Sequence, residues 1–215
     1  MILITGANRG LGAALLAHYR SEEAEVLGTT RQPQGDLLPL DVSDPASITD
    51  LAARLSDQPI DLLICNAGAY FDRGMGLGDT YDADIFARSF ATNATGPFLT
   101  VQALLPNLRA ASPSKVAIIS SQMGSNTRAR GGSYAYRASK AAVLNIGRNL
   151  ATDLADEGIA VGIYHPGWVI SGMTAGSAAN IEAGDSARGL AARFAALGPE
   201  TTGCFETWEG QAMPL

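Results

Sequence analysis

Short apolar runs rich in β-branched residues alternate along this chain with longer stretches whose apolar positions recur every three or four residues. A run of the first kind suits a strand buried on both faces, and a stretch of the second kind suits a helix laid across a sheet. The runs predict strands near residues 1–5, 24–29, 36–40, 60–65, 115–120, 159–164 and 203–207. The amphipathic stretches predict helices near 10–20, 45–56, 80–110, 133–157 and 184–197. Such alternation is the pattern of βαβ units, so the expected fold class is α/β, a doubly wound parallel sheet with helices on both faces. The 215 residues and 47% hydrophobic content suffice for one core, and no repeat or linker interrupts them, so 1–215 is expected to be a single domain.

Two local patterns refine this picture. Ser43 or Asp44 offers an N-cap, with Pro45 at the first helical position of the second helix. Thr30 to Gly35 leave only about six residues between the second and third strands, where a parallel crossover needs a dozen or more. A helix is expected to be missing there. Either Gln32-Pro33-Gln34-Gly35 crosses as an extended loop or the third strand is displaced, leaving one sheet face less covered at its edge as a contact surface.

The chemistry begins at Thr5, with the loop Thr-Gly-Ala-Asn-Arg-Gly-Leu-Gly following the first strand and opening the first helix. Gly6 suits a tight turn, Gly10 a close backbone approach to a pyrophosphate, and Gly12 close helix packing, with the helix amides facing the phosphates. Gly6, Asn8, Arg9, Gly10, Leu11 and Gly12 are therefore candidate cofactor-binding residues. An NAD site usually carries a carboxylate about 20 residues past the glycines to hold the ribose diol. This chain reads Gly-Thr-Thr-Arg-Gln-Pro there, with Arg31 and the loop's Arg9 able to clamp a 2′-phosphate, so NADP(H) is the expected cofactor. Asp41 stands where it could accept from the adenine amino group or help begin the next helix, and Val42 where it could line the base. Asn66, Ala67 and Gly68 follow the fourth strand, where small residues would let a ribose lie close to the backbone or simply turn the chain.

Composition narrows the partners. The net charge of −6 and the lack of a basic run argue against nucleic acid or an anionic membrane surface, and no apolar stretch is long enough to cross a bilayer. Met1 leads straight into the first strand, which predicts a cytoplasmic protein without a signal peptide. Cys65 and Cys204 lack the spacing of a metal site or redox pair and read as buried thiols; no metal is expected. The chain has two lysines, Lys115 and Lys140, and Lys140 falls four residues after Tyr136. On a helix that spacing places phenol and ammonium on one face.

In order, TGANRGLG, LDV, NAG, TNATGPF, ISSQMGS, YRASK, HPGWV and TGCFETWEGQAMP resemble the short-chain dehydrogenase/reductase family over almost the whole chain, nearest to small NADPH-linked carbonyl reductases and related C-factor-like signalling proteins. The resemblance implies a single-domain Rossmann fold and a tetrad of Asn93, Ser121, Tyr136 and Lys140. Tyr136 would give a proton to a carbonyl oxygen as hydride arrives. Lys140 would favour the phenolate electrostatically and hold the nicotinamide ribose, with Tyr136 beside it. Ser121, preferred over Ser120, would bind the substrate oxygen. Asn93 would hold a proton-relaying water or merely kink its helix. Pro166, Gly167 and Val169 would meet the nicotinamide carboxamide, Ser171 stands where relatives carry threonine, and Gly172 to Asn180 read as a loop that orders over cofactor. His165 reads as a structural histidine at a strand end. Tyr70, Phe71, Gln122, Met123, Trp168 and Met173 would form an open apolar pocket with few charges, suited to a neutral ketone or aldehyde. The alternative is a cofactor-binding signalling protein with little turnover. Pairing as a homodimer or homotetramer through the helices near 80–110 and 133–157 stays open.

Overall fold

The computed structural model describes every residue except Pro33 and Asp57. The apolar runs form β1 (Ile2–Ile4), β2 (Val26–Thr30), β3 (Leu38–Pro39), β4 (Leu62–Cys65), β5 (Ser114–Ile119), β6 (Ile159–His165) and β7 (Phe205–Thr207). All pair in parallel in one sheet, in the order β3-β2-β1-β4-β5-β6-β7. Every residue of β4 and of β6 is buried, which explains why these strands read as continuous apolar runs and not as alternating ones.

The helices are α1 (Gly10–Ser21), α2 (Pro45–Arg54), α3 (Ala83–Phe90), α4 (Gly96–Ala103), α5 (Leu105–Ala110), α6 (Tyr134–Asp153) and α7 (Ala183–Ala196). Helices α2, α4, α5 and α6 cover one face, where Ile48, Leu51, Val101, Leu104, Leu108 and Val143 pack on Leu3, Leu63, Val116 and Ile118. On the other face α1 and α7 bring Leu15, Leu16, Leu190 and Phe194 onto Ile4, Ile64, Ala117 and Tyr164. Each fully buried aliphatic side chain contributes about 1.5–3 kcal/mol. Lys115 completes this second layer by donating to the Phe194 and Ala195 carbonyls, at 3.1 and 2.7 Å, at the C-terminal end of α7. That end carries negative partial charge and favours a cation.

Three expectations are corrected or decided by the structure. The single helix near 80–110 is broken into α3, α4 and α5, with a π-helical turn at Ala91–Thr95 and prolines in the first turns of α4 and α5. A proline there lacks only an N–H that would have no intrahelical partner, so it starts a new helix without disrupting one. At α2 the cap is Asp44, whose carboxylate accepts from the Ala46 N–H at 3.0 Å. Between β2 and β3 there is no helix among the described residues. β3 is shorter than its expected span of 36–40 and stays beside β2, pairing Thr29 with Leu38 and Thr30 with Pro39. A turn held by the Leu37 N–H on the Gln34 carbonyl returns the chain; Pro33, within the predicted loop, lies outside the described residues. Leu37 packs against the opposite layer with α1, so part of the face expected to be bare is covered.

Candidate active site

The strand order reverses between β1 and β4, and in such sheets the crevice outside the carboxyl ends of these strands receives a ligand. The glycine loop leaves β1 there. Gly6 adopts φ +68°, a left-handed conformation that favours glycine, against the Ala67 backbone. At Gly12 a Cβ would lie 2.5 Å from Asn66 Nδ2 and inside contact distance of the Gly6 carbonyl oxygen. The N-cap of α1, Arg9, contributes no side-chain hydrogen bond, and the first turn carries no acidic residue. The amides opening α1 are thus left to an external anion, with Asn8 exposed and Leu11 half-buried beside them.

Thr5, Thr29 and Asn66 hold this loop, a role the sequence reading gave to none of them. Thr5 Oγ1 accepts from the Asn66 and Ala67 amides, both at 3.0 Å, and Thr29 Oγ1 accepts from the Gly6 amide at 3.3 Å. Asn66 Nδ2 donates to the Thr5 and Gly6 carbonyls at 2.9 and 3.0 Å. The amide of Asn66 therefore braces the glycine loop, leaving the small Ala67 and Gly68 beside the crevice. Polar β-branched residues at strand ends were the available signal. Asp41 Oδ1 accepts from the Ser43 amide and hydroxyl at 2.9 and 2.6 Å, just ahead of the Asp44 cap of α2. Val42, expected to line a base, is instead buried in the core against Gly96. Arg9 and Arg31 are both exposed, and neither forms an ion pair among the described residues.

At the other side of the crevice α6 presents Tyr136, 7% exposed, and Lys140, 5% exposed. Burial pushes the Tyr136 phenol up to about 12; the neighbouring Ser121 hydroxyl opposes this, while Tyr70 and Asp72 add to it. Ser121 Oγ also accepts from the Met123 amide at 3.1 Å, and its rival Ser120 is turned away, donating to the Lys140 carbonyl at 3.0 Å. Lys140 Nζ lies 5.9 Å from the centre of the Tyr136 ring and donates to the Ile119 carbonyl at 2.9 Å. The four-residue spacing thus yields proximity without a hydrogen bond between the pair. Asn93 sits in the π-helical turn, a feature frequent at functional sites. Its Oδ1 accepts from the Ala69 amide and its Nδ2 donates to the Ala69 carbonyl, both at 2.8 Å, and to Ser139 Oγ at 3.0 Å. Its side chain is a clamp on the segment after β4.

Burial alone depresses Lys140 to about 8. An unfolded lysine titrates near about 10.4, so between about pH 8 and 10 the unfolded chain binds more protons and stability rises with pH. The penalty is fully present below that window, where a shift of this size corresponds to about 3 kcal/mol. Lys140→Met should therefore raise the melting temperature of the cofactor-free protein at pH 7 by about 5 °C or more, an advantage shrinking toward pH 10. Calorimetric melts across that range check it, and an unchanged or lower melting temperature at pH 7 would show that the ammonium is adequately solvated where it sits.

The remaining predicted residues lie after β6. Ser186 Oγ donates to the Pro166 carbonyl at 2.7 Å, Gly167 has φ +83°, and Val169 bridges to Ile181. Thr174 Oγ1 donates to the Val169 carbonyl at 2.6 Å and accepts from the Ser171 amide at 2.9 Å. Ser171 Cβ lies 3.6 Å from the position a Cβ would take on Gly10, which sets this turn against the glycine loop. Arg73, after β4, donates to the Ala175 carbonyl, so the two loops meet. His165 is buried and held near 4 by burial, then by Arg128, so it is neutral at physiological pH. Cys65 is buried and its thiol pushed up to about 12 by burial, which keeps it unreactive.

The expected apolar pocket is only partly assembled. Tyr70 stacks on Tyr136 with ring centres 4.1 Å apart, and Trp168 and Met173 stand exposed on the segment after β6. Phe71 instead lies under the Arg88 guanidinium at 4.2 Å, and Met123 borders a small hollow with Ala138 and Ala141 on another side of α6. Gln122 accepts from Arg128 at 3.2 Å, which adds a cation where few charges were expected.

Comparison with known proteins gives a consistent result. The family model described as short chain dehydrogenase matches residues 1–182. The C-signal of Myxococcus xanthus is 41% identical over 166 residues, 76% of this chain and 97% of that protein. A 1-hydroxy-2-glutathionyl-2-methyl-3-butene dehydrogenase of Rhodococcus sp. (strain AD45) is 30% identical over 223 residues, 97% of this chain and 96% of that protein. Among solved structures, the NADPH-bound carbonyl reductase from chicken fatty liver superposes with a TM-score of 0.87 at 30% identity, covering 100% of this chain and 98% of the other. An NADP-bound short-chain dehydrogenase/reductase from Burkholderia multivorans gives 0.87 at 29% identity, with 100% and 98% covered.

Proposed function

The chain belongs to the short-chain dehydrogenase/reductase family, and on that premise we propose that it reduces a ketone or aldehyde to an alcohol with NADPH, Tyr136 acting as the proton donor. The observation that carries the reading is the buried Tyr136 phenol, with the Ser121 hydroxyl acting on it, on the same crevice as an uncapped helix start behind a glycine loop. When bound, NADPH supplies the hydride.

The chain's own residues do the rest. The α1 amides and the glycine loop receive the pyrophosphate, Arg9 and Arg31 the 2′-phosphate, and Lys140 the nicotinamide ribose. Pro166, Gly167, Val169 and Ser171 line the nicotinamide side. Ser121 Oγ, bonded to Met123 N–H, keeps its O–H free to donate to a substrate oxygen and so stabilises charge developing there. A phenol held near 12 is protonated at pH 7, the form that donates a proton in the reduction. Similarity to the C-signal favours a signalling role, yet a binding module has no use for a serine and a phenol aligned in this way. The two thiols kept free among the described residues support a cytoplasmic setting. Pairing into a homodimer or homotetramer through α4 and α6 belongs to the same proposal, supported by Phe98 standing exposed on α4.

A titration followed by nicotinamide fluorescence, with a carbonyl panel added in the same cuvette, tests the reading. NADPH is expected to bind well ahead of NADH and to be oxidised with several aromatic or aliphatic carbonyls. Arg31→Asp should reduce that preference by about 10- to 100-fold, because a paired guanidinium is lost and a carboxylate repels the 2′-phosphate. Equal affinity of the unmodified protein for the two cofactors would remove Arg9 and Arg31 from the site.

A further inference from the structure

The segment Ala69–Met75, which leaves β4 just past the crevice, is fastened to the start of α6 at four points. Asn93 ties Ala69 to Ser139, one turn along α6. Tyr70 stacks on the Tyr136 ring, and its hydroxyl meets Ser133 Oγ at 2.6 Å. The Ser133 amide donates to the Met75 carbonyl at 2.9 Å. Between these lies Asp72, a carboxylate with 0% exposure. Its Oδ2 accepts from the Ala135 amide at 2.7 Å, and both oxygens accept from the Tyr136 amide, at 3.2 and 3.3 Å.

The residue at the N-cap position of α6 does not cap it. Ser133, at the N-cap position, has φ 49° and makes no capping bond with its side chain. A residue more than sixty positions away supplies the cap, and it does so on the amide of Tyr136 itself. A buried anion at a helix N-terminus is favoured by the partial positive charge there and by charge-assisted hydrogen bonds.

We infer that Asp72 is a positioning residue for Tyr136: its buried carboxylate, bonded to the Ala135 and Tyr136 amides, fixes the first turn of α6 so that the phenol faces Ser121. The inference rests on the proposed role of Tyr136 as proton donor. The groups facing the phenol are Ser121 after β5, Tyr70 and Asp72 after β4, and Lys140 on α6. Asp72 is the anion among them and opposes Lys140: a negative charge disfavours the phenolate, whereas an ammonium favours it. The segment after β4 thus adds to the burial that keeps the donor protonated.

Two substitutions separate geometry from charge. Asp72→Asn keeps an oxygen to accept from the two amides and removes the charge. The Tyr136 pKa should fall, so the high-pH limb of NADPH oxidation with 4-nitrobenzaldehyde, where the protonated phenol is lost, should move to lower pH by about half a unit. The melting temperature should fall by about 2–4 °C, because the cap keeps its acceptor and loses its charge. Asp72→Ala leaves both amides unpaired, and kcat should fall about tenfold or more with the KM for NADPH little changed. If that variant does not fold, Asp72→Asn decides alone. Tyrosinate absorbance of the NADP⁺ complex, taken as the difference from Tyr136→Phe, follows the same phenol without any carbonyl. A Tyr136 midpoint that coincides in Asp72→Asn and the parent protein overturns the inference. Full turnover in Tyr136→Phe would instead sink the proposed proton donor, and the absorbance titration would still report whether Asp72 controls the phenol.

Discussion

Replacing Tyr136 by phenylalanine is expected to lower kcat by about 10³-fold, within the range seen when a positioned general acid is removed. The substitution is nearly free of structural consequence. The ring keeps its stack on Tyr70 at 4.1 Å, and the amide of residue 136 keeps its bonds to Asp72. Ser121 Oγ retains the Met123 amide as a partner, so no buried hydroxyl is stranded. The phenol is neutral at pH 7 in the folded and the unfolded chain alike, so its raised pKa carries no stability cost there and the melting temperature should change little. Cofactor affinity should change by no more than about threefold, or roughly 0.7 kcal/mol. Steady-state rates with the carbonyl panel and fluorescence titration with NADPH measure the two quantities side by side. Retention of more than about a tenth of the parent rate would mean that protons reach the product from elsewhere. Loss of turnover with a retained biological effect would instead favour the signalling alternative.

Gly12→Ala should weaken NADPH binding by about 100-fold or more, through the backbone and not through any lost contact. The added methyl would lie 2.5 Å from Asn66 Nδ2 and closer still to the Gly6 carbonyl oxygen. Neither can retreat cheaply. Asn66 holds both Thr5 and Gly6 carbonyls, and Thr5 Oγ1 holds Asn66 and Ala67 in return, so a shift at one position disturbs the whole bracket between β1 and β4. Overpacking of this kind costs about 1–3 kcal/mol, which for a chain of this length lowers the melting temperature by about 5 °C. Gly78→Ala is the matched control, because a Cβ there meets nothing within 4 Å. Calorimetric titration with NADPH and thermal melts of both variants give the comparison. Parent-like affinity in Gly12→Ala would show that the loop adapts, and the phosphate cradle would then have to lie elsewhere on the crevice.

Both expectations draw on residues of very different legibility. The strands and helices were readable because burial imprints itself on neighbouring positions: β4 and β6 are buried along their whole length and read as apolar runs. The glycine loop was readable because a tight turn, a phosphate and a helix start constrain eight consecutive residues at once. Tyr136 and Lys140 were readable because one helix turn separates them. Less of the helix near 80–110 was accessible, since its break depends on Asn93 being drawn to Ala69, a partner 24 residues away.

What the sequence determined by itself, then, is the order of elements in the α/β sheet, the glycine loop, and the resemblance that brings Ser121, Tyr136 and Lys140 together. Tertiary structure alone decided that Asn66 braces the loop, that Val42 belongs to the core, that Ser120 turns to the Lys140 carbonyl, and that Asp72 caps α6 in place of Ser133. The physical reason is common to all four. Periodicity records whether a position is buried, a property each element carries along its own length. The partner of a buried polar atom is chosen by which chain segments the sheet order brings side by side, and β4 delivers Asp72 to α6 only once strands from across the sequence have paired.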